Sequence, residues 1–219
     1  MTSDPSNARA AGRHALIVTG GPLPRGLGPL PDADLVIAAD EGIDNARRLG
    51  LTVDLLVGDL DSSSDGSEAI ARVVERHPVD KDETDLELAL AAALRAGATS
   101  ATVVVTVGGR ADHALGNLLV LAGGRWSALR VDVRIDGARA WVVRDQIQID
   151  GSADDLVSLL AVGGAATGVT TTGLAWPLDG VVLEPGVGLG LSNRMTGAAA
   201  EVIVGSGAVV VIAPGGNTG

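Results

Sequence analysis

Apolar positions along the chain fall into two regimes. Up to Arg125, unbroken apolar runs alternate with segments of helical period; beyond it, period-two alternation takes over. Ala15-Leu16-Ile17-Val18-Thr19 runs into Gly20-Gly21-Pro22, which predicts a buried strand closed by a glycine turn. Leu35-Val36-Ile37-Ala38-Ala39 predicts a second strand ending at Asp40-Glu41-Gly42. A short helix follows from about Ile43 to Leu49, with Gly50 in the C′ position. The third apolar run, Leu55-Leu56-Val57-Gly58, leads into Asp59-Leu60-Asp61-Ser62. Glu68 to Arg76 has a helical pattern that Pro78 stops. Leu86, Ala89, Leu90, Ala93 and Leu94 stand at i, i+3, i+4, i+7 and i+8, so a helix is expected from about Thr84 to Ala96, ended by Gly97. Asp82 is the expected N-cap of that helix, with Asp85 at its third position. Thr102 to Val107 predicts a strand and Gly108-Gly109-Arg110 a tight turn. Leu115, Leu118, Leu119 and Ala122 then mark the apolar face of a helix ending at Gly123-Gly124.

Past Arg125, Val131-Asp132-Val133-Arg134-Ile135 and Gln146-Ile147-Gln148-Ile149 alternate with period two. Short β-type runs follow at Leu156–Leu160, Val181–Leu183, Glu201–Val204 and Ala208–Ile212, separated by glycines. Gly186-Val187-Gly188-Leu189-Gly190 has no helix after it and reads as a loop between strands. The expected fold class is therefore an α/β N-terminal domain, Rossmann-like with a mostly parallel sheet, followed by an all-β sandwich. The expected division is a flexible tail at 1–13, an α/β catalytic domain at 14–130 and a β-sandwich domain at 131–219.

Composition narrows the chemistry. The 219 residues include no Phe, Tyr or Cys and three Trp, so Ala, Val, Leu and Ile must fill nearly all of the core. Without Cys, thiolate metal sites, disulfides and cysteine nucleophiles are excluded, and His14, His77 and His113 lack zinc-motif spacing; oxygen ligands for a hard cation remain. A net charge of −11 argues against a nucleic-acid groove, which needs a basic stripe. Nor does any apolar run approach the roughly 18 residues of a membrane span, and the polar start lacks the apolar core of a secretory signal. A cytoplasmic protein is expected.

Candidate chemistry gathers where strands end. In extended chain Asp59 and Asp61 leave the backbone on the same side, and Gly58 lets a phosphate approach the main chain. Asp40, Asp59, Asp61, Arg110 and Asp112 all follow predicted strands, and that edge of an open α/β sheet is where ligands bind. Carboxylates gathered there repel: a pair about 5 Å apart costs about 3 kcal/mol at an effective dielectric of 20, which a divalent cation removes. Asp85 is either a first-turn acid, stabilising its helix by about 0.3–1 kcal/mol, or a member of this group, with Lys81 and Thr84 beside it. Arg110 follows a Gly-Gly turn whose N–H groups suit a phosphate.

Together these stretches resemble the thiamine pyrophosphokinase (thiamin diphosphokinase) family, over about Ala15 to Pro214. The resemblance rests on Gly58-Asp59-Leu60-Asp61-Ser62, Lys81-Asp82-Glu83-Thr84-Asp85-Leu86-Glu87, Gly109-Arg110-Ala111-Asp112-His113, Gly173-Leu174-Ala175-Trp176-Pro177-Leu178 and Leu191-Ser192-Asn193. It implies transfer of diphosphate from ATP to the hydroxyethyl oxygen of thiamine, giving thiamine diphosphate and AMP, with Mg²⁺ as the metal. It implies a homodimer with active sites formed between subunits. Carried over by position, Asp59, Asp61 and Asp85 are metal ligands or close outer acids; Lys81, Thr84 and Arg110 contact ATP; Asp112 lies near the transferring group. Trp176, Ser192, Asn193 and Asp40 belong to the thiamine site, where an indole stacks on the pyrimidine. Glu41 departs from the small residue usual in the family after that aspartate. A nucleotide-sugar glycosyltransferase also uses Asp-x-Asp at a strand end but leaves Lys81–Asp85 and the β region unexplained; a non-catalytic thiamine or nucleotide sensor is the alternative outside enzymes.

Overall fold

The computed structural model describes residues 12–60, 67–106, 108 and 110–213. Two compact units result, one of Gly12–Val120 with Ala128–Gly137, the other of Leu121–Ser127 with the described residues from Ala138 onward.

The first unit contains β1 (Arg13–Val18), β2 (Leu35–Ala39), α1 (Gly42–Arg48), β3 (Val53–Gly58), β4 (Ala71–Arg76), α2 (Asp85–Arg95), β5 (Ala98–Val105), α3 (Ala111–Leu121) and β6 (Arg130–Ile135). The strands lie in the order β4-β3-β2-β1-β5-β6, and every adjacent pair is parallel. Parallel strands are covered on both faces, which is why they read as unbroken apolar runs: Ala15, Leu16, Ile17 and Val18 are all buried. Successive strands step outward from β1 to β4, then the chain returns to the other flank with β5. The order thus reverses between β1 and β5, a place where open sheets leave a crevice at their carboxyl ends.

Helix α1 packs close beneath β1, because a Cβ on Gly42 would stand 2.0 Å from Val18 O. Only glycine permits that approach. Leu16, Val18, Ala38, Ile43, Ala46, Val53, Leu56, Leu60 and Val104 form one buried cluster in this unit. Helix α2 begins one residue past Thr84, which caps it through a capping box with Glu87. The cap is therefore Thr84 and not Asp82, and Asp85 is the first helical residue and not the third. Helix α3 begins at Ala111, which puts Asp112 in its first turn; Leu115 and Leu119 of its expected apolar face are exposed in the single chain.

Three further expectations change. Glu68 to Arg76 is not a helix: a 3₁₀ turn at Ser67–Ile70 leads into β4, which extends the sheet beside β3. The adjacent β-branched Val73 and Val74 favour extended chain once β3 offers unpaired backbone groups. Val131–Ile135, expected to open the all-β region, is β6 and pairs parallel with β5, so these residues group with the first unit. The expected tail shortens too, since Arg13 already starts β1; residues 1–11 lie outside the described residues.

The second unit contains β7 (Ala138–Val143), β8 (Gln146–Asp150), β9 (Leu156–Ala161), β10 (Ala166–Thr172), β11 (Val181–Leu183), β12 (Asn193–Arg194), β13 (Ala199–Ile203) and β14 (Val209–Ala213). These form two antiparallel arrays, ordered β12-β9-β14-β7 and β11-β10-β13-β8. Trp141, Val157, Leu159, Val209 and Val211 from the first array and Ile149, Val169, Leu183 and Val202 from the second belong to one buried cluster. Alternation along each strand supplies that cluster from one face. Among the described residues no helix is long and apolar enough to cross a membrane.

Candidate active site

Asp40 follows β2 directly and holds φ at +45°, a left-handed conformation tolerated by few residues other than glycine, asparagine and aspartate. Its Oδ1 accepts a hydrogen bond of 3.1 Å from the Leu60 N–H, which ties the end of β2 to the turn after β3. Leu60 is itself at φ +65° with its side chain buried, so it anchors the turn from the core side. Between them Gly58 sits at φ +154°, where a Cβ would come 3.0 Å from Asp40 Cβ and 3.2 Å from Asp85 Oδ1. The glycine is thus what allows Asp40 and Asp85 to close over the strand end.

Lys81 ties the group together. Its Nζ donates to Asp59 Oδ2 at 2.9 Å and stands 3.2 Å from Asp85 Oδ1, with only 11% of its side chain exposed. Burial pulls the ammonium pKa down, but the hydrogen bond to Asp59 and the charges of Asp59 and Asp85 outweigh it and leave the pKa raised. Asp40 is displaced upward, first by burial and then by the charges of Asp85 and Asp59; the Glu41 and Leu60 N–H groups oppose that shift only in part. Both shifts record a crowd of carboxylates held by one cation.

The Thr84 hydroxyl is committed locally. It accepts from the Glu87 N–H at 3.3 Å and lies 3.1 Å from Glu87 Oε2, while the Thr84 N–H donates to the same Oε2 at 2.9 Å. The capping box fixes the start of α2, so that Asp85 faces Lys81 one turn earlier in the chain. Arg110 and Asp112 form a separate forked pair, Nε to Oδ1 at 3.2 Å and Nη2 to Oδ2 at 2.6 Å, both well exposed. The Arg110 hydrogen bonds bring the Asp112 carboxyl down to about 2, which makes it a weak proton acceptor in this arrangement. Asp61 and Gly109 lie outside the described residues.

Among the described residues no three side chains of metal-binding type converge as a ready-made cage. The donors that do meet are oxygens, and Asp85 Oδ1 is buried with no well-directed hydrogen bond, which suits a hard divalent cation. Glu41 packs against the turn after β1: a Cβ on Gly20 would meet Glu41 Cβ at 2.8 Å. Sequence reasoning missed Asn45. This α1 residue is 2% exposed, and its Nδ2 donates to Thr19 O and Gly21 O, each at 3.0 Å, fixing the glycine turn beside the β1/β5 reversal. The available signal was a lone amide among the buried positions Ile43 and Ala46.

In the second unit, Trp176 stands on the segment between β10 and β11 with 60% of its surface exposed. Asn193 is buried beneath it and bonds its main chain, and Ser192, at φ +56°, donates its N–H to Ser158 Oγ at 3.1 Å. Trp176, Ser192 and Asn193 are therefore brought together, Trp176 presented outward and Asn193 held inward.

The chain is similar in sequence and fold to known proteins. Residues 30–133 match the family description "Thiamin pyrophosphokinase, catalytic domain", and residues 144–209 match "Thiamin pyrophosphokinase, vitamin B1 binding domain". The chain is 28% identical over 189 residues to the thiamine pyrophosphokinase of Bacillus subtilis (strain 168), covering 82% of this chain and 88% of that one. The crystal structure of the Bacillus subtilis thiamine pyrophosphokinase superposes with a TM-score of 0.78 at 25% identity, over 93% of this chain and 99% of that chain. Yeast thiamin pyrophosphokinase shares the fold, with a TM-score of 0.71 at 14% identity over 95% of this chain and 88% of that one. With both parts of the chain matched in order, this protein belongs to the thiamin pyrophosphokinase family.

Proposed function

We propose that this protein is an enzyme, a thiamine diphosphokinase, transferring diphosphate from ATP to the hydroxyethyl oxygen of thiamine and releasing AMP. The observation that carries this reading is the convergence of Asp40, Asp59, Lys81 and Asp85 at the carboxyl ends of parallel strands, inside the region matched to the family's catalytic domain. We read the first unit as a Rossmann-like catalytic domain and the second as a β-sandwich that binds thiamine, with residue 137 in place of 130 as the boundary.

In this reading Mg²⁺ is the metal, and Asp59, Asp61 and Asp85 are the residues that would hold it. Bound there, the ion would neutralise phosphate charge and carboxylate repulsion together. The chain's own groups orient and compensate. Lys81, already drawn to Asp59 and Asp85, is placed to follow negative charge onto the ATP phosphates, and Arg110 offers a fork that matches a phosphate as well as it matches Asp112. Thr84 contributes by fixing the first turn of α2, whose N-terminal end favours anions. Attack at the β-phosphorus demands in-line placement of the alcohol more than covalent help, so most of the rate comes from alignment and charge compensation. Asp112 orients Arg110, and Asp40 adds a carboxylate that favours the thiamine cation. Trp176 supplies a flat face for the pyrimidine, beside Ser192 and Asn193. A cytoplasmic homodimer with active sites at the subunit interface completes the proposal.

The test is product analysis after incubating the purified protein with thiamine, ATP and MgCl₂. Thiamine diphosphate and AMP in equal amounts support the reading. Thiamine monophosphate with ADP places attack at the γ-phosphorus, and bound thiamine without product makes the protein a sensor.

A further inference from the structure

We infer that Asn193 is a positioning residue for thiamine, acting through the Trp176 main chain and not by touching the substrate; this rests on the reading of Trp176 as part of the thiamine site. Asn193 is 4% exposed, and its carboxamide is almost fully spent on backbone. Oδ1 accepts from the Trp176 N–H at 3.1 Å and from the Arg194 N–H at 2.9 Å, and Nδ2 donates to Trp176 O at 2.7 Å. Only one orientation of the amide satisfies a donor and an acceptor of the same residue at once.

The approach to Trp176 is already braced on one side. Gly173, at φ +71°, passes so close to β13 that a Cβ there would stand 2.3 Å from Ala199 O. Leu174 bridges Met195 in antiparallel fashion, and the Ala175 N–H donates to Arg194 O at 2.8 Å. At Trp176 that backbone pairing hands over to a side chain: the Asn193 carboxamide, itself an amide, engages both main-chain groups of Trp176 and extends the ladder by one residue. Ser192 turns the chain at φ +56° so that the next side chain points inward. The result is a large aromatic ring, 60% exposed, on a fixed support. An exposed indole on a mobile loop would lose ordering entropy on stacking, and holding it in place before binding removes that cost.

The experiment combines Asn193→Ala, Asn193→Asp, Trp176→Ala and the double variant Asn193→Ala/Trp176→Ala, measuring thiamine KM and kcat together with time-resolved tryptophan anisotropy. Trp126 and Trp141 are buried, so the differences between wild type and Trp176→Ala, and between Asn193→Ala and the double variant, isolate the exposed indole. Removing the support is expected to raise KM about five- to tenfold with kcat within about twofold, the worth of one aromatic contact. The substitution should add nothing to KM once Trp176 is gone, and Trp176 should gain a fast anisotropy component. Asn193→Asp keeps both acceptor contacts but sets a carboxylate oxygen against Trp176 O where Nδ2 had donated, so it should repel that carbonyl, loosen the indole and raise KM at least as far as Asn193→Ala. An additive effect in the Trp176→Ala background, a loss confined to kcat, or an unchanged Trp176 anisotropy overturns the inference. If Trp176→Ala leaves KM unaltered while the indole loosens in Asn193→Ala, the positioning stands and the thiamine reading of Trp176 falls.

Discussion

Asp40 is held in a conformation and a charge environment that a carboxylate pays for, so Asp40→Asn should make the metal-free protein more stable. The substitution keeps the Oδ1 that accepts from the Leu60 N–H, and asparagine tolerates the left-handed φ of +45° at least as well. What it removes is charge. Asp40 Cβ and Asp85 Oδ1 flank the point where a Gly58 Cβ would lie, at 3.0 Å and 3.2 Å. Asp40 Cβ is therefore at most about 6 Å from Asp85 Oδ1, and like charges at about that separation repel by about 3 kcal/mol at an effective dielectric of 20. Lys81, 3.2 Å from Asp85 Oδ1, cancels most of this, and partial exposure screens the rest. A gain of about 1 kcal/mol remains, worth about 2–4 °C in Tm for a chain of this size. The pH dependence follows from the raised folded pKa of Asp40, which burial causes first and Asp85 and Asp59 reinforce. Ionising Asp40 costs the folded state stability above that pKa, and the cost vanishes as pH falls through it toward the unfolded value of 3.8. Thermal melts in chelator at pH 7 and near pH 4 should thus show the variant ahead at the first and level with wild type at the second. The same variant should bind cationic thiamine more weakly, trading function for stability. A variant less stable than wild type at pH 7, or an equal gain at both pH values, refutes the reasoning.

Three further outcomes are expected. Thr84→Ala removes the hydroxyl half of the capping box, leaving the backbone N–H of residue 84 to Glu87, and should cost about 1 kcal/mol, read as a lower urea midpoint with an unchanged m-value. Lys81→Met leaves Asp59 and Asp85 facing without their shared cation; in chelator it should lose about 2 kcal/mol, less than a fully buried pair, and millimolar MgCl₂ should restore part of the Tm. A loss that MgCl₂ leaves untouched would separate these carboxylates from any metal. Gly42→Ala drives a methyl to 2.0 Å from Val18 O, so circular dichroism and gel filtration should find the variant largely unfolded or aggregated; a native-like melt would show that α1 can move off β1.

The sequence by itself determined the elements whose signal is local. Strands β1, β2 and β3 are unbroken apolar runs, α2 carries its apolar residues at helical spacing, and Gly50 at φ +69° ends α1 as its position requires. It also determined which residue types could do the chemistry, because a chain with no cysteine and three scattered histidines offers a metal mostly oxygen donors. Tertiary structure decided what depends on a distant partner. Val73-Val74 became a strand because β3 had a free edge, and Val131–Ile135 joined the parallel sheet because β5 lay open beside it. Period-two alternation says that a segment is extended, not which neighbour it pairs with. The same holds at the site: Lys81, Asp59 and Asp85 are linked by a salt bridge across 22 residues, and Asn193 reaches Trp176 across 17. A lone asparagine reads as an ordinary polar residue until the fold buries it and leaves the backbone as its partner, since desolvating an amide is costly unless a hydrogen bond replaces the lost water. That necessity, imposed by burial and not by spacing, is what turned Asn45 and Asn193 into supports for the two loops that matter.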